Sequence, residues 1–152
     1  MTVIIDTREQ TPWGLAPFGC TVKVRKLNAG DYALEGDEDN FTIERKSLQD
    51  FLGTVSTGWD RLQRELGRTL GFTQSMPIVV EGDFAEFCYR MERGQLLAPE
   101  HPHHRLGPAF CARRVAQLTR MGCQVVFAGN ADNAALIGYA MLHDRSQVIK
   151  CS

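Results

Sequence analysis

An α/β domain on a mixed sheet is what this sequence predicts, and three observations carry that reading. Short apolar runs alternate along the chain with segments of helical period. Two of those runs, Val3-Ile4-Ile5 and Met76 to Val80, are bounded by polar residues, as buried strands are. A third pair, Tyr32 to Leu34 and Phe41 to Lys46, is separated by the polar turn Glu35 to Asn40, which predicts a hairpin. The 152 residues make one unit of ordinary globular composition, 43% hydrophobic and 23% charged.

In chain order, Val3 to Ile5 forms a strand ending at Asp6, and Thr11-Pro12-Trp13-Gly14 breaks the chain into a loop. Cys20 to Leu27 alternates, with Val22 and Val24 on one side, and predicts a half-buried strand. After the hairpin, Ser47 opens a helix on which Leu48, Phe51, Leu52, Val55 and Trp59 recur; beyond a break at Gly58, Leu62, Leu66 and Leu70 continue the pattern. Met76 to Val80 is a strand running into Glu81-Gly82-Asp83, and Phe84 to Glu92 reads as helical. Gly94 to Pro108 is the longest loop. Pro108 to Met121 is a helix ended by Gly122, Gln124 to Ala128 a strand, and Ala131 to His143 a last helix.

Composition excludes several classes. A formal charge of −1 is not that of a protein whose bulk charge coats nucleic acid. No run approaches the roughly 18 apolar residues of a membrane span. The opening MTVIIDTREQ has no basic, then apolar, leader pattern, so no signal peptide is expected. Five cysteines (20, 88, 111, 123, 151), with no CxxC, support neither a disulfide framework nor zinc, and fit a reducing cytoplasm, or a nucleus in a eukaryote. His101, His103 and His104 have no acid or cysteine at ligand spacing and read as loop. Charge is uneven: residues 1–60 hold six Lys/Arg and ten Asp/Glu, whereas residues 61–120 hold nine Arg and six acids. Carboxylates for metal beside guanidinium groups for phosphate would be distributed in this way.

The chemistry lies in residues 6 to 50. Alternation along Phe41 to Lys46 sends Thr42, Glu44 and Lys46 to one side and Phe41, Ile43 and Arg45 to the other. Glu44 and Lys46 therefore project together, with Gly30-Asp31 at the start of the partner strand. An Asp followed by Glu-x-Lys on a paired strand suits metal-dependent phosphodiester hydrolysis: carboxylates take hard Mg²⁺, and the lysine orients water or offsets developing charge.

Read together, V-I-I-D-T-R-E-Q (3–10), G-D-Y (30–32) and I-E-R-K-S-L-Q-D (43–50) resemble the nuclease domain of the XPF family of structure-specific DNA endonucleases. Glu81-Gly82 and Arg61 are similar to that family as well. The resemblance implies a restriction-endonuclease-like, PD-(D/E)xK fold: a central mixed β-sheet flanked by helices. It further implies Mg²⁺, with Mn²⁺ substituting, and cleavage of branched or junction DNA in repair, recombination or replication. On this resemblance Asp31 and Glu44 are metal ligands, Lys46 the catalytic lysine and Asp6 the completion of the acidic cluster. Arg8, Glu9, Arg45 and Asp50 support that cluster or bind DNA around it.

Other roles stand beside these. Ser47-x-x-Asp50 is also a helix capping box. Arg45 points away from Glu44 and could pair behind the strand as readily as it meets DNA. Arg8 and Glu9 could pair with each other, and Tyr32 reads as core. Arg61, Arg64 and Arg68 share one helix face, as do Arg113, Gln117 and Arg120, and either stripe could hold phosphates. Trp13 and Trp59 could stack on a base, Trp59 having the spacing of a core residue. Residues 1–152 are expected to be a single nuclease domain without the helix-hairpin-helix or helicase regions of larger family members. The last helix, apolar nearly all round, predicts a homodimer. The alternative to an enzyme is a non-cleaving module that binds branched DNA and positions a partner nuclease. Retention of Asp6, Asp31, Glu44 and Lys46 favours the enzyme, and a site-specific restriction nuclease ranks last.

Overall fold

A computed structural model describes residues 1–93, 95–97 and 107–151. Six strands form one mixed sheet in the order β2-β1-β3-β4-β5-β8. These are β1 (Thr2–Ile5), β2 (Thr21–Val24), β3 (Tyr32–Leu34), β4 (Thr42–Ser47), β5 (Ile78–Glu81) and, last in the chain, β8 (Val125–Phe127). The expected hairpin is present: β3 and β4 pair antiparallel with Tyr32 opposite Ile43 and Ala33 opposite Thr42. β1 joins β3 antiparallel and β2 in parallel, while β4, β5 and β8 run parallel to one another.

Helices cover both faces, because alternate residues of the central strands are apolar on both sides. One layer holds α1 (Leu48–Val55), α2 (Trp59–Arg68), α3 (Phe84–Cys88) and α4 (Pro108–Arg120). Phe51, Val55, Leu62, Leu66, Phe87, Cys111 and Leu118 from those helices meet Ile78 and Val80 of β5. On the other side α5 (Ala131–Cys151) presses Ala134, Ala135 and Leu142 against Val3, Ile5, Tyr32, Ile43 and Val79. Each such fully buried aliphatic or aromatic side chain contributes about 1.5–3 kcal/mol. α5 is notched at Gly138, where a Cβ would lie 2.2 Å from the Trp13 ring.

Four expectations are corrected. α3 stops at Cys88, and residues 90–92 instead form β6 (Arg90–Glu92), paired with β7 (Gln95–Leu97) as a separate two-stranded sheet. Cross-strand pairing supplies those backbone groups with partners that one more helical turn would otherwise have given. α2 ends at Arg68, so Leu70 leaves the apolar stripe and is 86% exposed. β2 is exposed along its whole length, since it is the edge strand of the sheet. α5 continues past His143 to Cys151 and is not covered all round: Leu136, Val148 and Ile149 are exposed. The described cysteines are free, as expected. His101, His103 and His104 lie outside the described residues. Among the described residues, no helix is long and apolar enough to cross a membrane.

Candidate active site

Three local devices build the site from the sheet. At Gly30 the backbone turns with φ +72°, and a Cβ would fall 2.7 Å from Thr42 Oγ1, so only glycine lets the chain enter β3 here. The following Asp31 is then locked between strands: its N–H donates to Ile43 O at 2.8 Å, and its carbonyl accepts from Asp6 N–H at 2.8 Å. Its carboxylate accepts one bond, from the main-chain N–H of Arg45 at 2.8 Å. Ser47 caps α1, its Oγ accepting from Asp50 N–H at 3.1 Å and donating to Asp50 Oδ2 at 2.6 Å. Asp50 is therefore a capping residue that also lines the groove.

Alternation along β4 is as expected. Glu44 and Lys46 share the α1/α2 side, where they form an ion pair with each other. Arg45 faces α5 and closes on two carboxylates: Glu81 through Nε at 2.8 Å and Nη2 at 2.6 Å, and Glu9 through Nη1 at 3.3 Å. Of the two roles open for Arg45, the structure selects pairing behind the strand. Trp13 Nε1 joins this clamp by donating to Glu81 Oε1 at 2.9 Å. The Trp13 ring stacks on Tyr32 with centroids 4.3 Å apart, so both rings belong to the core and neither is open to a base.

Asp31, Glu44 and Lys46 open into one groove of about 1140 Å³, whose walls include Arg8, Gln10, Gln49, Arg61, Glu65 and Arg68. Burial pushes the Asp31 carboxyl up to about 6, against the pull of the Arg45 N–H and Lys46. Burial, then the charge of Asp31, pushes Glu44 up to about 8. Burial disfavours the Lys46 ammonium, but Glu44 and Asp31 outweigh it, and its pKa rises above the ordinary lysine value. The groove thus holds a charged lysine beside two carboxylates that resist ionising together.

Asp6 is placed differently from expectation. It is almost wholly buried. Its Oδ1 accepts from Arg8 N–H at 2.8 Å and Arg8 Nε at 2.6 Å, and its Oδ2 accepts from Leu27 N–H at 2.6 Å. Burial favours the neutral carboxyl, yet those donors outweigh it and hold the pKa below the usual carboxylate range. With both oxygens engaged, Asp6 fixes Arg8 at the groove edge and does not join Asp31 and Glu44. Among the described residues no three His, Cys, Asp or Glu side chains gather as a ready metal cage. Arg8 pairs with Asp6, not with Glu9.

On α2 the groove face is Arg61, Glu65 and Arg68, and Arg64 points to solvent outside the groove. Arg68 is braced by Glu65 at 3.4 Å and by Asn28 O at 3.1 Å. Glu65, Gln10 and Gln49 were missed as groove residues. For Glu65 the signal was available, since it stands four residues after Arg61 and three before Arg68 on one helical face.

A mixed sheet with helices on both faces and an Asp, Glu-x-Lys groove at its centre defines a restriction-endonuclease-like α/β domain. Residues 5–141 match the model of the ERCC4 domain, and the chain belongs to that family, the one the GD and ERK motifs resemble. Among solved structures the chain is similar to XPF from Aeropyrum pernix, at 21% identity and a TM-score of 0.68. The same protein in complex with DNA matches at 23% identity and a TM-score of 0.67. Each match covers 96% of this chain and 65% of the other, so this chain spans just under two thirds of the relative's length. No curated protein matches.

Proposed function

We propose that this chain is a metal-dependent, structure-specific DNA endonuclease that hydrolyses phosphodiester bonds near branches or junctions during repair, recombination or replication. The observation that carries the reading is the meeting of Asp31, Glu44 and Lys46 in one groove walled by Arg8, Arg61 and Arg68. DNA as the ligand is supported by the Aeropyrum pernix relative, whose structure includes DNA.

The donor set fits a hard dication. Asp31 and Glu44 are oxygen donors, Glu44 buried and Asp31 half-buried, and the Asp31 carboxylate is held by the fixed N–H of Arg45. In this reading they hold Mg²⁺, or Mn²⁺ in its place. Such an ion, when bound, polarises the scissile phosphate and lowers the pKa of an attacking water. Lys46 stays protonated and sets a positive charge against the one that grows on the phosphate oxygens. Arg8, held by Asp6, and Arg61 and Arg68 position the backbone by its phosphates without reading bases. Arg45 acts at one remove, presenting its main-chain N–H to Asp31 while Glu9 and Glu81 hold its side chain. A homodimer through α5 belongs to the same reading, supported by the exposed Leu136, Val148 and Ile149; a monodisperse monomer by light scattering at micromolar concentration removes it.

The deciding experiment cleaves end-labelled duplex, flap, fork and four-way-junction DNA with Mg²⁺, with Mn²⁺ and with EDTA, beside Asp31→Asn. Metal-dependent cutting near the branch, lost in the variant, supports the enzyme. Tight junction binding with no cutting in either metal overturns it in favour of a non-cleaving binding module.

A further inference from the structure

The helix α4 has an unusual charge content for a surface helix: its thirteen residues, PAFCARRVAQLTR, carry three arginines and no carboxylate. Cys111 and Leu118 anchor its buried side, which leaves Arg113 and Arg120 exposed. Arg114 turns toward α2. Its guanidinium lies 4.0 Å above the Trp59 ring and 5.1 Å from that of Phe110, while Arg113 sits 5.8 Å from Phe110. Nη1 of Arg114 donates to Gln117 Oε1 at 3.0 Å, and its buried Nε finds no acceptor among the described residues.

Stacking on aromatic faces holds the Arg114 guanidinium flat, so the donors neither spent on Gln117 nor buried with Nε receive phosphate oxygens at little ordering cost. The charge is also poorly compensated. Burial and the neighbouring Arg113 press the Arg114 pKa down, and the exposed Asp60 is the opposing carboxylate. This surface adjoins the groove directly. Gly58 lines the groove, Trp59 is the next residue, and Arg61 brings the helix back to the groove wall.

We infer that Arg113 and Arg114, mounted on Trp59 and Phe110, form a second DNA-contacting surface that takes the phosphate backbone of a duplex arm leaving the groove. The inference rests on the nuclease reading above and says which part of the protein senses a branch. A linear duplex satisfied by Arg8, Arg61 and Arg68 has no need of α4; a branched one offers a second backbone to it.

The test uses the full chain in EDTA, with fluorescence anisotropy on a labelled fork and on a linear duplex of equal length over a series of KCl concentrations. For Arg113→Gln/Arg114→Gln, fork affinity falls about tenfold, and the slope of log K against log salt shrinks by about 1.8, two phosphate contacts at about 0.9 each. Linear-duplex affinity changes by less than about twofold, because phosphate contacts outside the groove are not used there. Arg113→Gln alone, at an exposed position that does not threaten folding, shrinks the fork slope by about 0.9. Unchanged fork binding, or equal losses on fork and linear DNA, overturns the inference and leaves the groove reading standing. Wild-type protein that binds neither DNA overturns both.

Discussion

The two faces of β4 use the same residue types to opposite effect. On the α5 side Arg45 meets Glu81 and Glu9 with three nitrogens, and its side chain is only 12% exposed. Charges are matched there, the donors find acceptors, and the result is a clamp. On the other side Lys46 meets Glu44 beside Asp31, with Glu65 on the facing helix wall, and the cleft is open to solvent. Arg8, Arg61 and Arg68 stand along the walls, and at the floor burial resists the joint ionisation of Asp31 and Glu44. An ion pair closed by its partners is scaffold; the open pair is where the proposed function puts its cation.

The largest effect that follows is on the open face. Asp31→Asn or Glu44→Gln lowers cleavage of a fork in Mg²⁺ by about 10²–10³-fold or more, measured as single-turnover rate. A variant retaining a tenth of wild-type rate would break the distinction between the faces. Next comes the closed face. Arg45→Met leaves Glu9 and Glu81 without their cationic partner and destabilises by about 3–5 kcal/mol in urea unfolding. The surviving folded protein cuts far better than Asp31→Asn, because the N–H that holds Asp31 belongs to the backbone.

A smaller effect is pH dependence without metal. Unfolded, Asp31 and Glu44 titrate near 4; folded, they are pushed up to about 6 and about 8. Between pH 4 and 8 the native state therefore holds more protons than the unfolded state. The stability this gives is complete below pH 4 and is lost as pH rises through 6 and 8. Tm in EDTA falls from pH 5 to 8. Glu44→Gln flattens the profile, and Mg²⁺ raises Tm more at pH 8 than at pH 5. The smallest effect separates the arginines of α2. Arg61→Gln weakens duplex binding and shrinks the salt slope by about 0.9, whereas Arg64→Gln, outside the groove, changes neither.

What the sequence made legible is what depends on local periodicity. Alternation alone put Glu44 with Lys46 and Arg45 opposite them, and Ser47-x-x-Asp50 announced the start of α1. The fate of Asp6 was not legible, because one of its three donors is the N–H of Leu27, twenty-one residues away on the far side of β2. Spacing tied Glu65 to Arg61 and Arg68, but it did not exclude Arg64: Leu62 and Leu66 fix which side of α2 is buried, and neighbouring elements decide which flank meets β4. The small β6–β7 sheet eluded a reading by period, since three-residue strands are too short to show alternation.

The sequence contains two tryptophans, and the fold assigns one to each layer. Trp13 is sealed between Tyr32 and Gly138 and bonded to Glu81. Trp59 is half-buried beneath Arg114 at the mouth of the groove. The protein therefore carries a pair of intrinsic optical reporters. Emission from Trp13 is shielded and changes when the α5 layer comes apart. Emission from Trp59 is open to quencher and responds to whatever arrives at α4. Trp59→Phe and Trp13→Phe proteins resolve the two signals, so loss of the clamp and occupation of the second DNA surface can be followed separately in one cuvette without a label.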